Sequence, residues 1–483
     1  MGRIVRVAIV IVWFGLVGVL VRERWTAPAP SEPAAAPGTI REGDEWLDVY
    51  HQDQKIGYVH QSAAPVDGGY QFEEHSLLRL TIMDAPQTVR TITTGQTGTD
   101  FALRQFSFEL SSGVGGLRVQ GRVVGSVLEL TLSTGSDTST QRIPLSGPVY
   151  LPATLRNLVA TGDLHEGRHL RVQVFDPSVM KNAAMEITVE RREPVPQASP
   201  ERQAWRVREE FQGIRTTAWI DDHGTVLREE GPMNMVLARS DAERAIHAGW
   251  SGATALDLVQ TVAVPVAHLI DQPRSLQRLR VRLHGIDLER VPSDARQRRN
   301  GDSWTITREE LSLVRSYTLP YSASDRSADL AATPLLQIDH PRVRAAAAEA
   351  LGDERDALRA VRRLLAWIHG YMRQAPTVSI PNALQVLDER QGDCNEHAVL
   401  FAALARAVGL PTRVVAGVVY LDGAFYYHAW DEVWLGRWVA VDPVFDQFPA
   451  DPTHIKFIQG GPEEQFAILQ VIGRLRIDVL STG

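Results

Sequence analysis

A chain of 483 residues with 44% hydrophobic and 22% charged side chains is ordinary globular material, too long for one core and expected to divide into two to four domains. A net charge of −8 and a pI near 6.0 provide no basic field for a polyanion, which argues against nucleic acid as a partner. Cys394 is the sole cysteine, so an intramolecular disulfide and a multi-cysteine zinc ribbon are both excluded, and the thiol is either an inert apolar filler or a reactive group.

Val7 to Val21 carry no charge and are flanked by Arg3, Arg6, Arg22 and Arg24. As a helix this run rises about 22 Å against a hydrocarbon core of about 30 Å, a gap that snorkelling arginines and Ile4, Val5 and Trp25 can close. Residues 1–24 therefore read as a single-pass anchor of a bacterial-type inner membrane, with the remainder translocated to the periplasm or exterior. A cleaved signal peptide is the alternative, with small-residue sites at 27–29 and 34–36, but Arg22–Arg24 directly after the apolar run is unusual for a cleavage region.

Residues 25–43 are rich in proline and alanine and read as a semi-rigid linker. From 44 to 238, period-two alternation broken by Asp-Gly, His-Gly and Gly-Gly predicts antiparallel strands. They suit one curved sheet or half-barrel with a short helical interlude near "SGPVYLPATLRNLVAT". The glycine-rich "GVGGLRVQG" at 113–121 reads as a turn. Residues 239–330 read as a helix from Ser240, with Glu243 in the reciprocal capping position, followed by a smaller β domain. Beyond Pro334 the period becomes helical: Leu358, Val361, Leu365, Ile368 and Met372 share one face, joined by Leu364 and Tyr371, and Trp367 and Tyr371 read as core packing. The fold class is α+β.

The stretch "QGDCNEHAVLFAALARAVGLPTR" carries the chemistry. Asp393 suits an N-cap, Glu396 completes a capping box, and Cys394 is the first helical residue. Ala398 to Val408 are apolar nearly all round, so the helix is buried, and Gly409 and Pro411 end it. A thiol at the positive end of a buried helix is biased toward thiolate. Downstream, His428 lies in an aromatic strand and Asp442 in the next strand. Nucleophile, base and orienter in this arrangement suit thiol acyl transfer. Side-chain parity constrains the turn between the two strands. A two-residue turn at Gly436–Arg437 places Asp442 on the face away from His428. A three-residue turn at Leu435–Arg437 pairs Trp434 with Trp438 and brings Asp442 to the face of His428. An odd connection or a bulge is predicted. Two other readings stay open: a zinc site of Cys394, His397 and His428, and a non-catalytic envelope scaffold.

"GDCNEHAVLFAALARAVGLPTRVVAGVVY", "HAWDEVW" and "WVAVDPVFD" resemble the three core motifs of the transglutaminase-like superfamily, a relative of the papain-like cysteine peptidases, over about residues 335–475 of a domain spanning 335–483. The resemblance implies Cys394 as nucleophile, His428 as general base and acid, and Asp442 as the group fixing the imidazole. It also implies a protein or peptide amide as substrate, with either water or an amine as acceptor. The Cys394 N–H would form part of an oxyanion hole, with Trp367, Tyr371 and Gln374 as candidates for the rest. Some members use calcium, but Asp442, Asp446 and Asp451 lack the dense oxygen-ligand spacing of a calcium loop, so neither metal nor cofactor is expected. The oligomeric state is not fixed by the sequence.

Overall fold

The computed structural model of the chain describes residues 43–82, 85–112, 115–134, 137–160, 164–198, 200–247, 250, 261–377 and 379–483. The anchor expected at 1–24 and the linker up to residue 42 lie outside the described residues. Among those described, no helix is long and apolar enough to cross a membrane. The protein is mixed α/β and rich in strand, and it divides between Asp257 and Leu258 into two compact units.

The first unit contains β1 (Gly43–His51), β2 (Gln54–Val66), β3 (Gly69–Ile82), β4 (Ala85–Gly98), β5 (Leu103–Ser112), β6 (Gly115–Val124), β7 (Val127–Thr134) and β8 (Asp137–Pro144). It continues with β9 (Val149–Tyr150), β10 (His169–Asp176), β11 (Lys181–Pro194), β12 (Gln203–Phe211), β13 (Ile214–Ile220), β14 (Val226–Glu230) and β15 (Met235–Ser240). Alternation made these strands: in β5, Phe106, Phe108 and Leu110 are buried while Ser107 and Glu109 are half-exposed. The glycine-rich stretch read as a turn instead opens β6 at Gly115. The helical interlude is α1 (Leu155–Ala160), and α2 (Ala242–His247) is capped by Asp241, whose Oδ1 accepts from the Arg244 N–H at 2.9 Å, one residue later than Ser240.

All fifteen strands form one sheet, running from β8 back to β1, across to β15, and back to β9. Laid flat, such a sheet would be about 65 Å wide. Its two edge strands are joined by residues 145–148 alone, a connection that reaches about 18 Å. The sheet must therefore curl until its edges lie near one another, as the alternating sequence led us to expect of a curved sheet.

The second unit contains β16 (Val264–Pro265), β17 (Arg278–His284), β18 (Gln297–Asn300), β19 (Ser303–Thr307), α3 (Pro341–Leu351), α4 (Ala357–Tyr371), β20 (Arg373–Gln374), α5 (Ala383–Glu389) and β21 (Gln391–Gly392). It ends with α6 (Cys394–Ala407), β22 (Thr412–Leu421), β23 (Ala424–Trp434), β24 (Trp438–Val441), β25 (Ile455–Gly460) and β26 (Arg476–Thr482). The strands expected in a smaller β domain, β17 to β19, share a four-stranded sheet with β26, so sequence-distant segments complete one another. A second sheet has the order β16-β23-β22-β25, with β24 also on β23.

α6 is buried from Cys394 to Arg406 and packs on β22, β23 and the three preceding helices, as an all-round apolar helix must. It stops at Gly409, whose φ of +80° and whose absent Cβ, which would stand 2.3 Å from the Pro320 Cβ, both require glycine. The segment before β25 is clamped from the first part of the unit. Arg296, paired with Glu309, donates to the carbonyls of Ala450 at 3.1 Å and Asp451 at 2.7 Å. Gln297 exchanges two 2.8 Å hydrogen bonds with the backbone of Lys456. The Lys456 ammonium is buried between Glu432, at 2.7 Å, and Asp294.

Candidate active site

The mouth of α6 is built as a closed polar box. Asp393 Oδ1 accepts from the Asn395 N–H at 3.0 Å, and the Asp393 N–H donates to Glu396 Oε2 at 3.0 Å, so the capping box read from sequence is present. Asp393 Oδ2 accepts from the Thr377 hydroxyl at 3.2 Å, and Ser379 donates to Glu396. Burial and the neighbouring Glu396 push the Asp393 carboxyl well above the usual range, so the cap adds no full negative charge beside the thiol. His397 Nδ1 donates to the Asp393 carbonyl at 2.6 Å, and burial lowers its pKa, which ties it as a neutral ring to the helix start.

The hairpin β23–β24 has the odd connection that parity demands. Trp434 pairs with Trp438, Val433 with Val439 and Asp431 with Val441 across a three-residue turn, Leu435–Arg437. Gly436 supplies the positive φ of +76°, and the Leu435 N–H bonds the Arg437 carbonyl at 2.8 Å. Asp442, next after Val441, falls on the face of His428, and His428 Nε2 donates to Asp442 Oδ2 at 2.7 Å. Asp442 Oδ1 accepts from the N–H groups of Val444 at 2.7 Å and Phe445 at 3.0 Å, and Oδ2 takes a second imidazole, His454 Nε2, at 2.9 Å. Burial alone would raise the Asp442 pKa, but the two histidines outweigh it and hold the carboxylate far below its usual range. A carboxylate receiving four donors is ionised, and an imidazole donating through Nε2 keeps its Nδ1 lone pair when neutral. That Nδ1 has no hydrogen-bond partner among the described residues. Cys394, His428 and Asp442 are all 0% exposed, and Cys394 opens the helix that packs on the strand carrying His428.

Of the oxyanion candidates, Trp367 and Tyr371 are half-buried rather than core, stacked 4.2 Å apart. Their polar atoms are engaged elsewhere, the indole on Glu349 at 3.0 Å and the phenol on the Leu387 carbonyl at 2.8 Å. Gln374 is placed differently. β20 pairs in parallel with β21 so that Gln374 lies opposite Gly392, two residues before Cys394, and its Nε2 donates to the Val444 carbonyl at 3.2 Å in the turn that holds Asp442.

Residues 344–443 match the family model of the transglutaminase-like superfamily, and Cys394, His428 and Asp442 all lie inside that segment. The chain carries a transglutaminase-like domain in its C-terminal part. No curated protein sequence matches the chain. Among solved structures, a candidate cysteine protease from Cytophaga hutchinsonii is 15% identical over 43% of this chain and 86% of its own, with a TM-score of 0.30. The periplasmic domain of TgpA from Pseudomonas aeruginosa, bound to ethylmercury, is 20% identical over 36% of this chain and 92% of its own, with a TM-score of 0.23. A beta-barrel-like protein from Brucella abortus is 14% identical over 41% of this chain and 95% of its own, with a TM-score of 0.32.

Within the transglutaminase-like domain the residues that could hold a metal differ from the set considered from sequence. His397 is committed to the backbone, and the cluster found among the described residues is His428, Asp442 and His454. Ligand atoms about 2.0–2.1 Å from a tetrahedral zinc stand about 3.3 Å apart. The N···O separations here, 2.7 and 2.9 Å, are those of hydrogen bonds. The calcium alternative fares no better: the Asp442 oxygens are filled by donors, and those of Asp451 accept from Thr453 and Gln447. His454 is the residue that sequence reasoning missed. A signal was present, a second histidine close behind Asp442 in a segment also holding Asp451 and Thr453.

Proposed function

We propose that this chain is a membrane-anchored thiol enzyme of papain-like fold that forms a Cys394 thioester from a protein or peptide amide. His428 Nδ1 takes the thiol proton, and the thiolate attacks the carbonyl carbon. The imidazolium then returns the proton to the departing ammonia or amine, and the same histidine activates water or a second amine to release the acyl group. Asp442 holds the ring and its tautomer. The Cys394 N–H would stabilise the oxyanion, joined by the Gln374 amide once it exchanges the Val444 carbonyl for the substrate oxygen. The observation that carries this reading is the 2.7 Å His428–Asp442 hydrogen bond, which leaves Nδ1 unpartnered on a strand packed under the cysteine helix.

Mass spectrometry of Cys394 after exposure to glutamine-bearing and peptide substrates, with and without a primary amine, tests it. A trapped thioester supports the reading, and amine incorporation names the acceptor. The chain is a poor acceptor for itself: of Lys55, Lys181 and Lys456, the first is buried against Asp48 at 2.8 Å and the last against Glu432 and Asp294. Replacing His428 by alanine should slow iodoacetamide labelling at pH 6 to 7, and an unchanged rate would remove the thiolate–imidazolium pair. The anchor is tested by deleting residues 1–24, which should yield soluble, folded protein. Full-length protein that fractionates as soluble with its N-terminus intact would refute it. The full burial of Cys394 favours one rival, the scaffold with an enclosed, idle thiol. Absence of alkylation in the folded protein at near-neutral pH would decide for that rival.

A further inference from the structure

We propose that His454 is a positioning residue of this site, an imidazolium held between Asp442 and Asp451 that fixes the Asp442 carboxylate and, through it, the Nε2–H tautomer of His428. The inference builds on the triad assigned above.

Both nitrogens of His454 face acceptors: Nε2 lies 2.9 Å from Asp442 Oδ2, and Nδ1 lies 3.1 Å from the Asp451 carbonyl and 3.5 Å from its Oδ1. A neutral ring can donate through one nitrogen only. The other would then set a lone pair against a lone pair at hydrogen-bond distance in a site closed to water, so the ring carries both protons. The charged groups facing it are Asp442, Asp451, His428, with its ring 5.7 Å away, and Arg296, which shares the Asp451 carbonyl and is neutralised by Glu309. Two carboxylates face the ring, and the one guanidinium nearby is already paired, which favours the imidazolium. Burial pulls the His454 pKa down, but Asp451 and Asp442 outweigh it and raise it to about 9.

The orientation follows from the donors. Two backbone N–H groups fix Asp442 Oδ1, and Oδ2 is fixed by His454 on one side, leaving its other lone pair for His428. His454 is itself held from behind. Asp451 accepts from the Thr453 N–H at 2.8 Å, the Thr453 hydroxyl at 2.6 Å and Gln447 Nε2 at 3.0 Å, so the anion opposite Nδ1 cannot turn away.

Long-range 1H–15N correlation of the full chain labelled with 15N-histidine reads both claims without using activity. His428→Gln and His454→Gln assign the two rings by the signal each removes. Expected in the wild type at pH 7 to 8 are a doubly protonated His454 and, for His428, the Nε2–H tautomer or the imidazolium but not the Nδ1–H tautomer. In His454→Phe, which offers no donor, the His428 ring should populate both tautomers, and kcat for acyl transfer should fall about ten- to hundredfold with KM little changed. In His454→Gln, whose amide can still donate to Asp442, most of the tautomer preference should return. A neutral His454 at pH 7, or a His428 spectrum unaltered in both variants, overturns the proposal. If His454→Phe does not fold, the wild-type charge state and His454→Gln still decide. Should Cys394 prove unreactive, the enzymatic reading fails, whereas the protonation states of the two rings stand or fall by themselves.

Discussion

Asp442 and Asp431 are equally buried, at 0% exposure, and flank the same hairpin on opposite faces, yet they are opposite in chemistry. Asp442 receives four hydrogen bonds and is held ionised. Neither oxygen of Asp431 has a hydrogen-bond partner among the described residues. Burial first, and then the charge of Asp442, push its pKa well up, against a weaker pull from Arg406. Burial alone therefore does not decide the charge of these two carboxyls; the supply of donors separates them. The donor-rich face is the one facing the proposed chemistry, and the donor-poor face lies behind it.

The largest expected effect comes from spoiling the rich face. Asp442→Asn keeps the shape but turns an NH2 toward either two backbone N–H groups or two imidazole N–H groups. Acyl transfer should fall by about 10³–10⁴, measured as thioester formation under single turnover. Retention of more than about a tenth of the rate would strip Asp442 of its role. Next is pH. His454, raised from its ordinary value to about 9, contributes stability that is fully present below pH 6.5 and is lost as pH rises toward 9. The magnitude is about 3 kcal/mol, and the thermal midpoint of the wild type should drop more steeply across that window than that of His454→Gln. Asp442 has the opposite sign. Its stabilisation is present above pH 4 and is lost as acid protonates it.

Asp431 should respond the other way to deletion. Asp431→Leu removes an unsatisfied buried carboxyl and should stabilise by about 1–3 kcal/mol, raising Tm by about 2–4 °C per kcal/mol. The wild type, whose Asp431 is protonated when folded, loses stability as pH climbs above about 4, and the variant should lack that loss. A lower Tm for the variant would show that Asp431 has a partner of consequence. The smallest effect tests the turn that sorts the two faces. Gly436→Ala, forced to φ of +76°, should cost about 1 kcal/mol in calorimetry and leave Cys394 alkylation unchanged.

Local rules made much of this legible in advance. The cap Asp393, the box with Glu396 and the stop at Gly409 are short-range chemistry, and parity alone required the odd turn at Leu435–Arg437. What stayed hidden depends on contacts distant in sequence. Arg296 clamping Asp451, and β26 completing the sheet of β17, have no local signature. Trp367 and Tyr371 read as core because their spacing fits the apolar stripe of α4, but both are half-buried and each spends its polar atom on a hydrogen bond. His454 escaped because it lies in an irregular segment, where neither helical nor strand periodicity singles out a side chain.

The first unit's strand order holds one more consequence. Its antiparallel pairings run between sequence neighbours from β1 to β8 and from β10 to β15, and one long-range contact, β1 with β15, joins the two runs. The order is a circular permutation of a simple up-and-down sheet, apart from the short parallel β9. Trp46 already lies opposite Ser240, and residues 145–148 connect strands that share no hydrogen bonds. Joining Ser240 to Gly43 and opening the chain at 145–148 would make every antiparallel pairing local, and the rearranged sheet would fold faster at unchanged registry.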